Sequence, residues 1–248
     1  FTHPTTIDNP LFPISRLRRV LLLGNESRVP LRVETTLMAG TRTMDLNGRN
    51  VEVLISQYVA WLGHEITEVA IDRYAQDDSG AVWYLGEDVF NYEHGLIVDT
   101  EGTWLAGRDG PAAMIMPVHP EVGNVWRPEN VCGIVFEEVA VKAAGVTVNG
   151  PLGPVAGAIV TSELHMDGTG EDKSFAPGYG EFSTGSPAGD LEAVELAIPT
   201  DVLSGPMPIE LATLSAGADS VFDLTETGNW TTAAATLKPT QRRRIGTR

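Results

Sequence analysis

The chain predicts a mainly β fold, an antiparallel meander closing into a β-barrel, with a short C-terminal helical pair. In Arg73 to Pro120, aromatic and β-branched runs recur between the turn sequences DDSG, YEHG and GRDG, each interval one short strand long. Across the first three quarters of the chain, about ten such strands follow at near-even spacing, which suits a sheet that removes its edges by closing on itself. Beyond SPAGD at 186–190, alanine and leucine replace the β-branched residues and the apolar spacing turns helical.

Phe1 to Pro13 carries Pro4, Pro10 and Pro13 and reads as an extended arm, because proline lacks the ladder donor and restricts its neighbour. Strands are expected near 18–23, 30–39, 49–62, 66–76, 81–85, 89–92, 96–100, 102–106, 113–116, 133–143 and 156–166, with a short one around 181–183. Pro208 to Ala218 places Ile209, Leu211, Ala212 and Leu214 at helical spacing, with Pro208 suited to a first turn and Gly217 to a stop. A second helix is expected over 230–237, stopped by Pro239. The domain reading is therefore a barrel with its arm over 1–185, then a joint, two short docking helices and a basic tail over 186–248.

At 248 residues and 42% hydrophobic content the chain can supply a full core. Its net charge of -16 argues against nucleic acid and anionic membrane surfaces as partners. The obvious basic cluster, Arg242, Arg243, Arg244 and Arg248, reads as a solvated tail. Cys132 is the sole cysteine, so no intramolecular disulfide is available, and no window reaches the roughly 18 apolar residues of a membrane span. VLLLG after Arg16, Arg18 and Arg19 is too short for a signal peptide and reads as a buried strand. The compartment stays open: a leader upstream of Phe1 would mark an exported protein, a start codon just before it a cytoplasmic biosynthetic enzyme.

The segment RYAQDDSGAVWYLGED, NYEHG, EGTWLAGRDG, MPVHPEVG and WRPEN resembles a family of bacterial, mostly exported proteins of uncharacterised function. Their pattern is close to WYAQDxxGxVWYxGED, YExG, EGxWxAG, MPxHPxVG and RxE. The likeness extends to IDNPLFP near the start and APGYG at 176–180, and the stretch PTDVLSGPMPIELATLSAGADSVFDLTETGNW is similar to the opening of a helical module of exported actinobacterial proteins. The resemblance implies fold and origin and carries over no site residues. Where relatives open a strand with Gly-Thr-x-Trp, this chain has ISRLRRVLLLG. If that strand lines the lumen, the interior is more apolar than in relatives; otherwise the change is drift at an exterior or core position.

His3, His64, His94, His119 and His165 lack the spacing that brings metal ligands together, and the chain spells no Walker loop or dinucleotide fingerprint, so neither a metal nor a cofactor is expected. On an extended strand, His64, Glu68, Asp72 and Tyr74 share a face. Such a row ordinarily faces solvent; facing a lumen, its carboxylates become candidate bases. Glu163 and His165 likewise share one face, with Leu164 and Met166 on the other. The ordinary arrangement buries Leu164 and Met166, whereas the inverted one makes Glu163 and His165 an acid–base pair tuned by burial.

The rings of Tyr58, Trp61, Tyr74, Trp83, Tyr84, Trp104 and Trp126 read mostly as core, with Trp83 and Tyr84 on opposite faces. Met114 and Met116 share a face and can adapt to irregular apolar guests. The expected function is binding of an apolar or amphipathic small molecule in the barrel. Leu22, Tyr58, Trp61, Trp83, Tyr84, Trp104, Met114 and Met116 are the candidate ligand contacts. The sharper form is a cofactor-independent cyclase or isomerase of a natural-product (polyketide) intermediate, with Tyr74, Glu163 and His165 as donors and bases. The alternative is a non-enzymatic exported binding or envelope protein. A second copy of the chain is the other partner considered.

Overall fold

The computed structural model describes residues 1–185, apart from Arg18, Ser27 and Pro151, together with the backbone of residues 198–199. The two expected helices, most of the joint and the basic tail lie outside the described residues. After a single 3-10 turn at Ile14–Arg16, the described chain is built from antiparallel strands.

The first group is β1 (Arg19–Glu26), β2 (Val29–Asp45), β3 (Asn50–Leu62), β4 (Glu65–Gln76), β5 (Val82–Glu93), β6 (Leu96–Asp99), β7 (Trp104–Leu105) and β8 (Ala113–Met116). The second is β9 (Val125–Val131), β10 (Val135–Gly150), β11 (Gly153–His165), β12 (Gly170–Ala176) and β13 (Gly180–Gly185). A two-residue β14 (Ile198–Pro199) pairs with the edge of β1.

Two expected strands, 81–85 and 89–92, are one. The ladder to β4 continues past Gly86 through Asp88, Val89 and Phe90, with one bulge opposite Asp72 and Tyr74. Gly86 has φ +110, and a Cβ there would stand 2.2 Å from the carbonyl oxygen of Trp104. The glycine is thus a close-approach site for β7 inside a continuous strand, not a break. Besides the two-residue β14, two strands were unforeseen: β9, whose Pro128 reads against a ladder, and β12, whose GEDKSFA composition reads as loop.

The expectation of one closed barrel needs correction. The ladders form two sheets, β14-β1-β2-β3-β4-β5-β6 with β7 and β8 attached to β5, and β13-β12-β11-β10-β9. The antiparallel sheet curls into a half-barrel, and side chains of both sheets share one core that includes Val53, Ile71 and Leu85 with Val139, Val141 and Ile159. At one seam Trp126 on β9 donates its indole N–H to the carbonyl of Ile115 on β8, at 3.1 Å. At the other, Val20, Leu22 and Val33 pack with Ala158, Ala176 and Phe182. Packing, rather than a continuous ladder, encloses the interior.

The proline arm lies against the rest of the chain. Asn9 donates to the carbonyls of Gly80 and Pro117 at 3.0 and 3.1 Å, and its own N–H reaches Gln76 Oε1 at 2.9 Å. Gly178 donates to the carbonyl of Pro10 at 2.9 Å. These bonds hold Phe12 against the interior, where its ring meets Tyr74 edge-on at 5.0 Å.

Candidate functional site

Between the two sheets lies a cavity of ≈ 160 Å³, walled by both. One wall is aliphatic: Val20 and Leu22 from β1, then Val33 and Leu37 from β2. The apolar opening strand therefore does line the interior. The arm and the 3-10 turn contribute Phe12, Ile14 and Leu17, and the second sheet contributes Val139 and Phe175. Against this apolar surface the cavity sets two groups of polar side chains.

The first group comes from three adjacent strands. Register places Glu137 opposite His165, Val139 opposite Glu163, Glu163 opposite Glu171 and Thr161 opposite Lys173, so one face of β10, β11 and β12 carries all of them. Leu164 and Met166 are 44% and 59% exposed while Glu163 is 4% exposed, so the strand has the inverted arrangement. Lys173 donates to Glu163 Oε1 at 2.8 Å and lies 3.2 Å from Glu171. His165 stands 3.6 Å from Glu137 and 3.8 Å from Glu171.

Burial raises the Glu163 carboxyl to about 7, against the opposing pull of the Lys173 ammonium. Glu137 experiences the same burial, but the contacts with His165 and Lys173 outweigh it and hold it low. His165 is raised chiefly by Glu137. For Lys173, burial opposes the charge, yet Glu163, Glu181, Glu137 and Glu171 together push its pKa well up. An ammonium so held is a permanent cation and not an amine nucleophile.

The second group stands on β3, β4 and β5. Asp72 is buried, accepts from Tyr84 Oη at 2.8 Å and from Ser56 Oγ at 3.1 Å, and is raised to about 6 by burial against those hydrogen bonds. Glu68, two positions along the same face, is raised to about 7 by burial and by Asp72. Tyr74 and Tyr84 face each other across the ladder and stack at 4.9 Å. Burial pushes both phenols far above their ordinary range, so they are neutral donors. Deeper still, Glu87 and Glu129 share a hydrogen bond, and Trp104 donates its indole N–H to Glu129 at 2.8 Å. Burial raises Glu129 to about 7 and Glu87 well beyond the carboxyl range.

Of the residues singled out in the sequence, Tyr74 and Glu163 line the cavity and His165 supports Glu163's neighbours without lining it. Among the candidate ligand contacts, Leu22 and Tyr58 line it. Tyr84 sits behind Tyr74, and Trp104 is fully buried on Glu129. Trp61 lies under the Arg32 guanidinium at 4.8 Å, on the other face of β3 from Tyr58. Trp83 donates to Asp77 Oδ2 at 2.8 Å and is turned away from Tyr84, as adjacent strand residues must be. Met116 is buried and Met114 half-buried, but Ile115 between them is the residue that lines the cavity. His64 belongs to the β3–β4 turn and is exposed, so it leaves the row that Glu68, Asp72 and Tyr74 keep.

Lys173 and Glu137 line the cavity beside Glu163, and Asp72 lines it beside Tyr74. Asp72 was visible as part of the charged row, whereas Lys173 stands on β12, whose inward Glu171 and Lys173 are polar and give no hydrophobic alternation. Ligand atoms of Glu137, Glu163 and His165 lie within 4.8 Å of one another, a geometry open to a divalent cation. The Lys173 ammonium already supplies Glu163 with positive charge, so the donor set is shared with an internal cation.

Among the described residues no helix is long and apolar enough to cross a membrane, which leaves strand-built spans unaddressed. Comparisons of the chain with protein-family models, with curated proteins and with solved structures gave no match.

Proposed function

We propose that the cavity binds an amphipathic small molecule and that Glu163 moves a proton on it, making the protein a cofactor-independent isomerase or cyclase of natural-product type. The observation that carries this reading is Glu163 itself. It is a nearly inaccessible carboxyl with a pKa of about 7, lining a cavity that has an aliphatic wall of Val20, Leu22, Val33 and Leu37. A base is most effective when its pKa lies near the working pH. Glu163 would take a proton from a carbon next to a carbonyl, and the neutral phenol of Tyr74 would donate a hydrogen bond to the oxygen where charge develops. Return of the proton to another carbon, or ring closure in a chain held folded by the walls, completes a reaction that needs no redox partner.

His165 acts through Glu137 and Lys173 as a positioning residue in this scheme. The family resemblance of 74–129 supports a second reading, a non-enzymatic binder. One contact favours it: the ion pair of Glu163 with Lys173 at 2.8 Å occupies the base.

Exchange in deuterium oxide separates the two without knowledge of the natural substrate. A panel of amphipathic ketones incubated with the protein is followed by proton NMR. Catalysed exchange at the α carbon, reduced on the order of 10²-fold in Glu163→Gln, is expected for the enzyme. Saturable binding with no exchange favours the binder, and exchange unaltered in Glu163→Gln overturns the role of Glu163.

A further inference from the structure

We infer that the guest of this cavity is a cation, an amphipathic amine whose ammonium is held by the carboxylates of the lining. The inference rests on the cavity reading above and names its substrate class. The lining sets Asp72, Glu137, Glu163 and Glu181 against a single ammonium, Lys173.

That cation is already divided, between Glu163 at 2.8 Å and Glu171 at 3.2 Å. His165 is shared by Glu137 at 3.6 Å and Glu171 at 3.8 Å. Asp72 has only neutral partners, the hydroxyls of Ser56 and Tyr84, and Glu181 accepts from Thr184. The neighbouring Arg73 pairs with Asp88. Among the described residues, neither Asp72 nor Glu181 has a cation within ion-pair distance.

A second observation points to the same place. Tyr74 lines the cavity and is 7% exposed, and among the described residues its hydroxyl has no hydrogen-bond partner. Among those residues the phenol oxygen has its lone pairs free and Asp72 lacks a counter-ion, so both gain from a group that donates to them. An ammonium brings three donors and the missing charge, and its tail finds Val20, Leu22 and Leu37 of the first sheet and Phe175 of the second. A carboxylate-bearing guest of the same shape meets like charge instead.

Titration calorimetry at about pH 8, above the values of about 6 for Asp72 and about 7 for Glu163, compares octylamine, octanol and octanoate. Octylamine is expected to bind about tenfold more tightly than octanol, and octanoate weaker than both. Asp72→Asn retains groups able to meet Ser56 and Tyr84 but loses the charge; it should cut the amine-to-alcohol ratio about fivefold. Glu181→Gln, at a half-buried position near the start of β13, gives the same readout if the first variant does not fold. Octanol binding as tightly as octylamine overturns the charge preference and leaves the cavity reading standing. Saturable binding of none of the three overturns both.

Discussion

At the scale of single residues, the protein puts ionisable groups where hydrocarbon would be ordinary. Glu163 is buried beside Lys173, and removing one member of such a pair leaves the other charge uncompensated. Glu163→Gln is expected to cost about 3 kcal/mol in urea unfolding, the low end for a broken buried pair because Glu171 remains near Lys173. The double variant Glu163→Gln with Lys173→Met should recover most of that loss, which a double-mutant cycle reads directly. Tyr74 presents the contrast. Its ring packs between Phe12 and Tyr84 while its hydroxyl bonds to no described residue, so Tyr74→Phe should change stability by less than about 0.5 kcal/mol. The same variant should slow ketone exchange about tenfold if the phenol stabilises the developing oxyanion. The adjacent pair Glu163 and His165 was legible in the sequence from a spacing of two; which face they shared with the core was not, because period two alone does not say which side is inside.

At the scale of elements, β5 carries the most connections, pairing with β4, β6, β7 and β8. Gly86 makes the β7 junction possible, since its φ of +110 and the 2.2 Å approach to the Trp104 carbonyl exclude any side chain. Gly86→Ala should therefore cost at least about 3 kcal/mol by chemical denaturation and displace Trp104 from Glu129. The displacement would register as a red shift of tryptophan emission. Gly95→Ala, in the open β5–β6 turn with φ +73 and no neighbour near a Cβ, strains only the local backbone and should cost much less. The elements that sequence reasoning placed well, β3, β4 and β8, have long apolar or alternating runs between clear turns. β12 was missed because its inward Glu171 and Lys173 are polar, and a strand whose core face is an ion-pair cluster lacks the hydrophobic alternation that announces strands.

At the scale of the whole molecule, the buried acids tie stability to pH. Glu68, Glu129 and Glu163 at about 7 and Asp72 at about 6 all hold protons in the fold that the unfolded chain has released. Between roughly pH 4.5 and 7 the folded state binds more protons, so stability falls as pH rises through that window. His165, raised by Glu137, acts in the same direction. Asp77 and Asp109, lowered by hydrogen bonds that outweigh their burial, act oppositely, but only near their own acidic range. Thermal unfolding should show a midpoint several degrees higher at pH 5.5 than at pH 8; equal midpoints, or the reverse order, would mean that these carboxyls are not buried as acids. An amine guest reverses the sense, since its charge favours the ionised carboxylates, so octylamine should raise the midpoint more at pH 8 than at pH 5.5.

The sequence by itself determined the strand-rich class, the order of most strands and the turns between them, because turn residues and period-two patterns are local properties. It also determined the inventory of ionisable groups on β4 and β11, which residue identity fixes. The tertiary structure alone decided that two sheets enclose the interior by packing, that Glu163 and Asp72 face inward while Leu164 and Met166 face water, and that Lys173 from an unforeseen strand meets Glu163. Those outcomes depend on which face of each strand meets the opposite sheet. That choice is made by contacts between residues far apart in the chain, and no local pattern encodes it.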